Sequence, residues 1–175
     1  MKIPWKFIIT HVIVLRIITI VAAFIGLKFL PFKPSFPYSE VVLMPLGSPL
    51  YWSWANFDGV HYLRLAQDGY IYGLTQAYFP LYFLFIRYIG SIIGSFMFSS
   101  LLISHVAFIL GLGMFYRLIR LDYDKKIAYR ALLFLIYFPT RYYFLSTYTE
   151  SIFFLLIITA FYLIRTQQWA KAALT

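Results

Sequence analysis

The stretch Phe79-Pro80-Leu81-Tyr82-Phe83-Leu84-Phe85-Ile86-Arg87-Tyr88-Ile89-Gly90-Ser91-Ile92-Ile93-Gly94 decides how this chain is threaded through a membrane. It is one of five apolar stretches, with Phe7–Leu30, Ser99–Ile119, Ile127–Leu145 and Ser151–Ile164. If all five crossed, the run of Arg117, Arg120, Lys125, Lys126 and Arg130 would face away from Lys2 and Lys6. Basic loops belong on the cytoplasmic side, so both clusters should share one face. The conflict disappears if Phe79–Gly94 does not cross. It is short of the roughly 20 residues a helical crossing needs. Pro80 suits a first helical turn, Arg87 sits in the middle, and Gly90 and Gly94 weaken the end. It reads as a helix in or on the outer interface.

The rest of the topology then closes. The N-terminus is inside and the first helix, Phe7–Leu30, goes out. A long outer loop runs from Pro31 to about Phe98. Ser99–Ile119 returns, the basic loop is inside, and Ile127–Leu145 goes out. A short outer loop holds Tyr148 to Glu150, and Ser151–Ile164 returns to Arg165 and Lys171. The fold class is all-α integral membrane, with about four transmembrane helices and juxtamembrane helices in a long first outer loop. One membrane domain covers residues 1–175: the first helix to 30, the outer loop 31–98, and three further helices over 99–165.

Composition fixes the class independently. The chain is 62% hydrophobic and 12% charged, with a mean hydropathy of +0.79. Soluble domains run nearer half apolar and a quarter charged, so this one needs a lipid solvent. Unbroken apolar runs exclude a β-barrel, whose strands alternate. There is no cysteine, which removes disulfides, thiolate nucleophiles and Cys-ligated metals. The net charge of +9 marks cytoplasmic loops and headgroup contacts. No nucleic-acid motif accompanies it. The basic N-terminus precedes an apolar run too long for a cleaved signal, so that run is retained. Gln167 to Thr175 looks like the first turn of another helix cut short, so the expectation is an N-terminal fragment of a longer protein.

The chemistry concentrates in Trp54-Ala55-Asn56-Phe57-Asp58-Gly59-Val60-His61-Tyr62-Leu63-Arg64, on the outer loop. Five prolines between Pro31 and Pro49 make the approach irregular. From Asp58 a helix should run through Ala66 and stop at Gly69, with Asp58, His61, Tyr62 and Leu65 on one face. Asp58 reads as a general base or as that helix's N-cap. His61, one turn on, would orient it or contact a phosphate. Trp54, with Trp52, reads as an interfacial platform, and Trp54 and Tyr62 are candidate substrate contacts. Arg64 and Arg87 are candidates for gripping a lipid phosphate, and Arg64 is also spaced for an ion pair with Asp68. Glu150 is the second outer acid, and Thr147-Tyr148-Thr149-Glu150 also fits a capping box. Asp58 and His61 alone are too few ligands for a metal; two outer carboxylates could share a divalent cation, whose ligands stay unassigned. Arg16, His11 and His105 lie inside apolar helices, where ionisable groups turn towards a bundle interior or a cavity.

Phe57-Asp58-Gly59-Val60-His61-Tyr62-Leu63 and Ala66-Gln67-Asp68-Gly69-Tyr70 resemble the PIG-V family of mannosyltransferases. In order, Tyr78-Phe79-Pro80-Leu81-Tyr82, Phe138-Pro139-Thr140 and Tyr148-Thr149-Glu150-Ser151 resemble that family's next elements. Phe83 and Thr147 stand where prolines are expected, and family members are longer. The resemblance implies a GT-C type fold and an inverting, GPI-anchor-related glycosyltransferase. Such an enzyme moves a mannose-like sugar from a polyprenyl or dolichyl phosphate to a lipid or glycan acceptor at the outer or lumenal face. It also implies that Asp58 and Glu150 are the acids of the first and second outer loops. Two rivals are an inactive scaffold or accessory subunit, favoured by the short length, and a lipid or solute transporter, suggested by Arg16 and His105. The location is a multi-pass membrane one: the plasma membrane in a prokaryote, the endoplasmic reticulum in a eukaryote.

Overall fold

The computed structural model describes residues 2–34, 36–71, 73 and 75–175, and all regular structure among them is helical. Helix α1 (Trp5–Phe29) is uninterrupted for 25 residues, about 37 Å at 1.5 Å per residue. That exceeds the roughly 30 Å of a hydrocarbon core. Only Ile8, Val12 and Leu15 of α1 are buried, so most of its apolar surface is left for lipid. A π-helical turn (Ser39–Leu43) and a 3₁₀ turn (Met44–Leu46) lead to the short α2 (Pro49–Trp52), where the Ser48 hydroxyl accepts from the Leu50 N–H.

Helix α3 (Asp58–Asp68) stops at Gly69, whose φ of 79° suits glycine. Helix α4 (Pro80–Ile93) starts on a proline and ends at Gly94 with φ 82°. Its 14 residues reach only about 21 Å, too short to cross. It does not lie alone along an interface, however. Tyr82 bonds the Ser100 carbonyl and the Ser104 hydroxyl, and Gly90 abuts Phe96, so α4 folds back along the following helix.

That helix, α5 (Phe96–Ile119), begins where the Ser95 hydroxyl accepts from the Phe98 N–H. Helix α6 (Lys125–Ile136) begins where the Asp124 carboxylate accepts from the Ile127 N–H. Helices α7 (Glu150–Arg165) and α8 (Trp169–Ala172) complete the chain.

The expectation of one continuous helix over Ile127–Leu145 needs correction. Helix α6 ends at Ile136, and Pro139–Leu145 forms a separate 3₁₀ segment. Pro139 lacks an N–H and pushes the preceding residue out of the helical region; Phe138 is indeed extended, at φ −64° and ψ 140°. The 3₁₀ segment and α7 then meet at a 98° bend. By length and composition, α1 and α5 can each cross a membrane, and the bent pair makes a third candidate if it counts as one span. Length and composition thus mark two or three candidate spans among the described residues, where about four were expected.

Helix α5 is the central post. Gly113 admits Trp5 at the start of α1, which runs antiparallel to it. Gly111 admits Phe154 and Leu155 of α7, which runs parallel. Phe7 meets Tyr129, and His11 shares a 2.9 Å hydrogen bond with Tyr137, so α6 rises beside α1. One core joins α1, α5 and α6 through Leu15, Phe108, Leu112, Leu132 and Ile136. A second gathers Trp52, Trp54, Leu65, Tyr82 and Met97 around α3 and α4. Arg165 grips Asp122 through two bonds of 2.6 and 3.0 Å, tying the end of α7 to the loop after α5. Lys6, Lys125, Lys126 and Arg165 therefore gather at one end of the bundle. Asp58, His61 and Glu150 gather at the other.

Candidate active site

Asp58 is the first residue of α3, not its cap. The residue before it, Phe57, stands at φ 53° and ψ −118°, and no side chain caps the helix there. A carboxylate in the first turn still complements the helix dipole. Because it is not used on the backbone, it is left exposed, and Tyr78 donates its hydroxyl to Oδ1 at 3.3 Å. Burial, followed by the neighbouring Asp58 charge, pushes the Tyr78 phenol up to about 12.

One turn along, His61 stacks on Tyr78 with centroids 5.2 Å apart and meets Tyr38 edge-on at 5.6 Å. Its Nδ1 is buried and makes no hydrogen bond within the described residues. Ring contacts therefore fix the imidazole; no bond from Nδ1 to Asp58 does. Burial pulls its pKa below the ordinary 6.5, against the pull of Asp58 and with the weaker help of Arg64. It is consequently neutral at neutral pH.

Tyr62 is buried edge-on against Tyr78 and Tyr82, each 5.1 Å away. Burial raises its phenol first, and the charges of Asp58 and Glu150 both act on it, so the ring lies within reach of both acids. Glu150 opens α7 half-buried, with Oε2 buried and without a hydrogen-bond partner among the described residues. The capping box does not form. Thr147 instead shares a 2.8 Å bond with the Ser100 hydroxyl, and no side chain caps α7 at Thr149. The Asp58 charge also acts on Glu150, as their place at the same end of the bundle requires.

The remaining candidates take other positions. Trp54 is 4% exposed, so it is no open platform at the interface. Its ring N–H donates to the Leu50 carbonyl at 2.8 Å, which permits the burial. The Arg16 guanidinium lies 3.9 Å from its centroid and donates to the Leu145 carbonyl at 3.2 Å. Trp54 also lines a cavity of about 340 Å³ with Ala23, Gly26, Asn56 and Tyr142. Arg64 lies over the Tyr38 ring at 3.9 Å and pairs with Asp68 at 3.8 Å, the predicted helical pair. Arg87 is not brought to the acids. Its guanidinium donates to the Ala66 and Leu65 carbonyls at 2.7 and 2.9 Å, at the opposite end of α3. Within the described residues no three His, Asp or Glu side chains are grouped closely enough to hold a metal ion.

Sequence reasoning gave no role to Tyr78, Tyr38, Asn56 or Tyr148. Asn56, Tyr78 and Tyr148 stood only as members of quoted motifs, and nothing in the sequence says which of the 16 tyrosines meet.

Fold and site together define a helical membrane protein with two carboxylates and a set of tyrosine rings at one end. The family model described as Mannosyltransferase (PIG-V) matches residues 6–174, and the chain belongs to that family. It is thereby placed among membrane glycosyltransferases, which use a sugar donor and an acceptor. Neither a curated protein nor a solved structure matches it.

Proposed function

We propose that the protein transfers a mannose-like sugar from a polyprenyl or dolichyl phosphate to a lipid or glycan hydroxyl at the outer or lumenal face, with Asp58 as general base. The observation that carries this reading is the Asp58 carboxylate: exposed, one hydrogen bond from Tyr78, and at the same end as Glu150. In the transfer, Asp58 takes the proton of the acceptor hydroxyl. The acceptor oxygen bonds to the anomeric carbon from the face opposite the phosphate, and the carbon–oxygen bond to phosphate breaks, its electron pair leaving with the phosphate. The anomeric centre inverts, and Asp58 later returns its proton to water. Tyr78 holds the carboxylate, while neutral His61 and the Tyr62 phenol border the reacting atoms. Arg64 attracts the phosphate from its seat on Tyr38. A donor carried on a lipid suits a site at the end of apolar helices, since donor and enzyme share the membrane. Preorganised donors and acceptors of this kind lower a barrier chiefly by positioning and charge stabilisation.

The donor class is tested in membranes containing the full chain, supplied either with labelled polyprenyl-phosphate mannose or with the corresponding nucleotide sugar. Labelled product from the lipid donor alone is expected. Product from the nucleotide sugar alone, with the lipid donor inert, would overturn the donor assignment.

A further inference from the structure

The two acids lie in segments distant in sequence, and a row of hydrogen bonds joins the residues just before each. Tyr142 donates its hydroxyl to the Ser53 carbonyl at 3.0 Å. The Thr147 N–H donates to the Trp54 carbonyl at 2.9 Å. The Tyr148 hydroxyl donates to the Asn56 carbonyl at 2.7 Å. The segment leading into α7 is thus fastened along the segment leading into α3.

The approach is close at the next residue too. A methyl group on Gly59 would stand 3.0 Å from the Thr147 carbonyl oxygen and 3.3 Å from its Cβ. Between the fastened carbonyls and Asp58 sits Phe57, at φ 53°. A non-glycine residue there is strained and persists only where its surroundings fix it. Thr147 is itself held to α5 through Ser100, and Tyr148 is buried.

We infer that Tyr148 is a positioning residue: through the Asn56 carbonyl, and with Gly59 allowing the close approach, it fixes Asp58 relative to Glu150. Asp58 follows Asn56 by two residues, and Glu150 follows Tyr148 by two. The bond is therefore a short strut between the bases of the two acids. Without it Phe57 relaxes its backbone, and Asp58 moves with it. The inference rests on the glycosyltransferase reading above for its consequence in catalysis, and on the hydrogen bonds alone for its consequence in geometry.

The variant Tyr148→Phe keeps the ring, which packs edge-on against Tyr143 at 5.2 Å, and removes the hydroxyl. The chain has no cysteine, so spin labels at Gln67→Cys and Phe153→Cys, both exposed, report the distance between α3 and α7. The unaltered clamp should give one narrow distance, and Tyr148→Phe should broaden it. Tyr142→Phe, which removes the bond farthest from Asp58, should broaden it less and serves as the second variant should Tyr148→Phe not fold. In the transfer assay kcat should fall on the order of ten- to a hundredfold, as small misplacements of reacting groups do, with KM nearly unchanged. A distance distribution untouched by both variants overturns the inference, as does a change in KM alone. If the unaltered chain transfers no sugar, the functional reading fails, and the distance measurement still decides the strut.

Discussion

Phe57 combines a φ of 53° with a side chain two-thirds exposed, so its backbone holds strain that its own packing does not explain. Glycine at this position should keep or raise the thermal midpoint in detergent. Phe57→Val, branched at Cβ, should cost about 1–2 kcal/mol. A lower midpoint for glycine than for valine would show that the turn is not strained. Beside it, His61 should titrate below 6.5, because burial disfavours its charged form. Asp58→Asn should lower that value further and Arg64→Gln should raise it, read from histidine ring resonances. The unfolded chain binds this proton more readily than the folded one. The group therefore leaves stability unchanged above 6.5 and lowers it as the pH falls below. The acids themselves were legible in sequence, since carboxylates are rare in so apolar a chain. Their partners were not: Tyr78 meets Asp58 only through the path of the intervening loop. Asp58 misses the cap for an equally local reason, because Phe57 turns the chain one residue early.

At the level of elements, α5 and α7 approach closely enough that Gly111 has no room for a side chain. A methyl group there would stand 2.6 Å from the Phe154 ring, itself packed among Phe108, Phe115 and Phe144. Gly111→Val should therefore lower stability by about 1–3 kcal/mol, measured by unfolding in detergent. An unchanged midpoint would mean that the two helices are not packed as described. Apolar length placed α1, α4 and α5 in the sequence to within a few residues, with glycines or prolines marking the ends of α1 and α4 and the basic, polar run from Arg120 marking the end of α5. It failed over Ile127–Leu145, where apolar residues resume after Pro139-Thr140-Arg141 but the helix has already ended before the proline. The same apolar residues that make a span also make a 3₁₀ segment packed on α5, and hydropathy does not separate the two. The extent of α4 was similarly legible, whereas its return along α5 depends on Tyr82 reaching Ser100 and Ser104.

Across the whole molecule, one basic cluster and the two candidate acids lie at opposite ends. Lys125, Lys126 and the Arg165–Asp122 pair lie at one end, and Asp58 and Glu150 at the other. The positive-inside pattern read from the sequence has a counterpart in this arrangement, since Arg165 is tied to the Asp122 loop beside Lys125 and Lys126. In sealed membranes, a cysteine at Lys126 should react with an impermeant thiol reagent from the cytoplasmic side alone, and one at Gln67 from the opposite side alone. Reaction of both from one side would contradict the two-ended arrangement. The central claim is that Asp58 is the base of a sugar transfer at the outer end. The measurement that tests it most directly is transfer from labelled polyprenyl-phosphate mannose, in membranes holding equal amounts of the unaltered chain and of Asp58→Asn. The amide keeps the shape of the side chain and cannot take the proton, so transfer should fall by on the order of 100-fold or more. Transfer by Asp58→Asn at the unaltered rate would contradict the account.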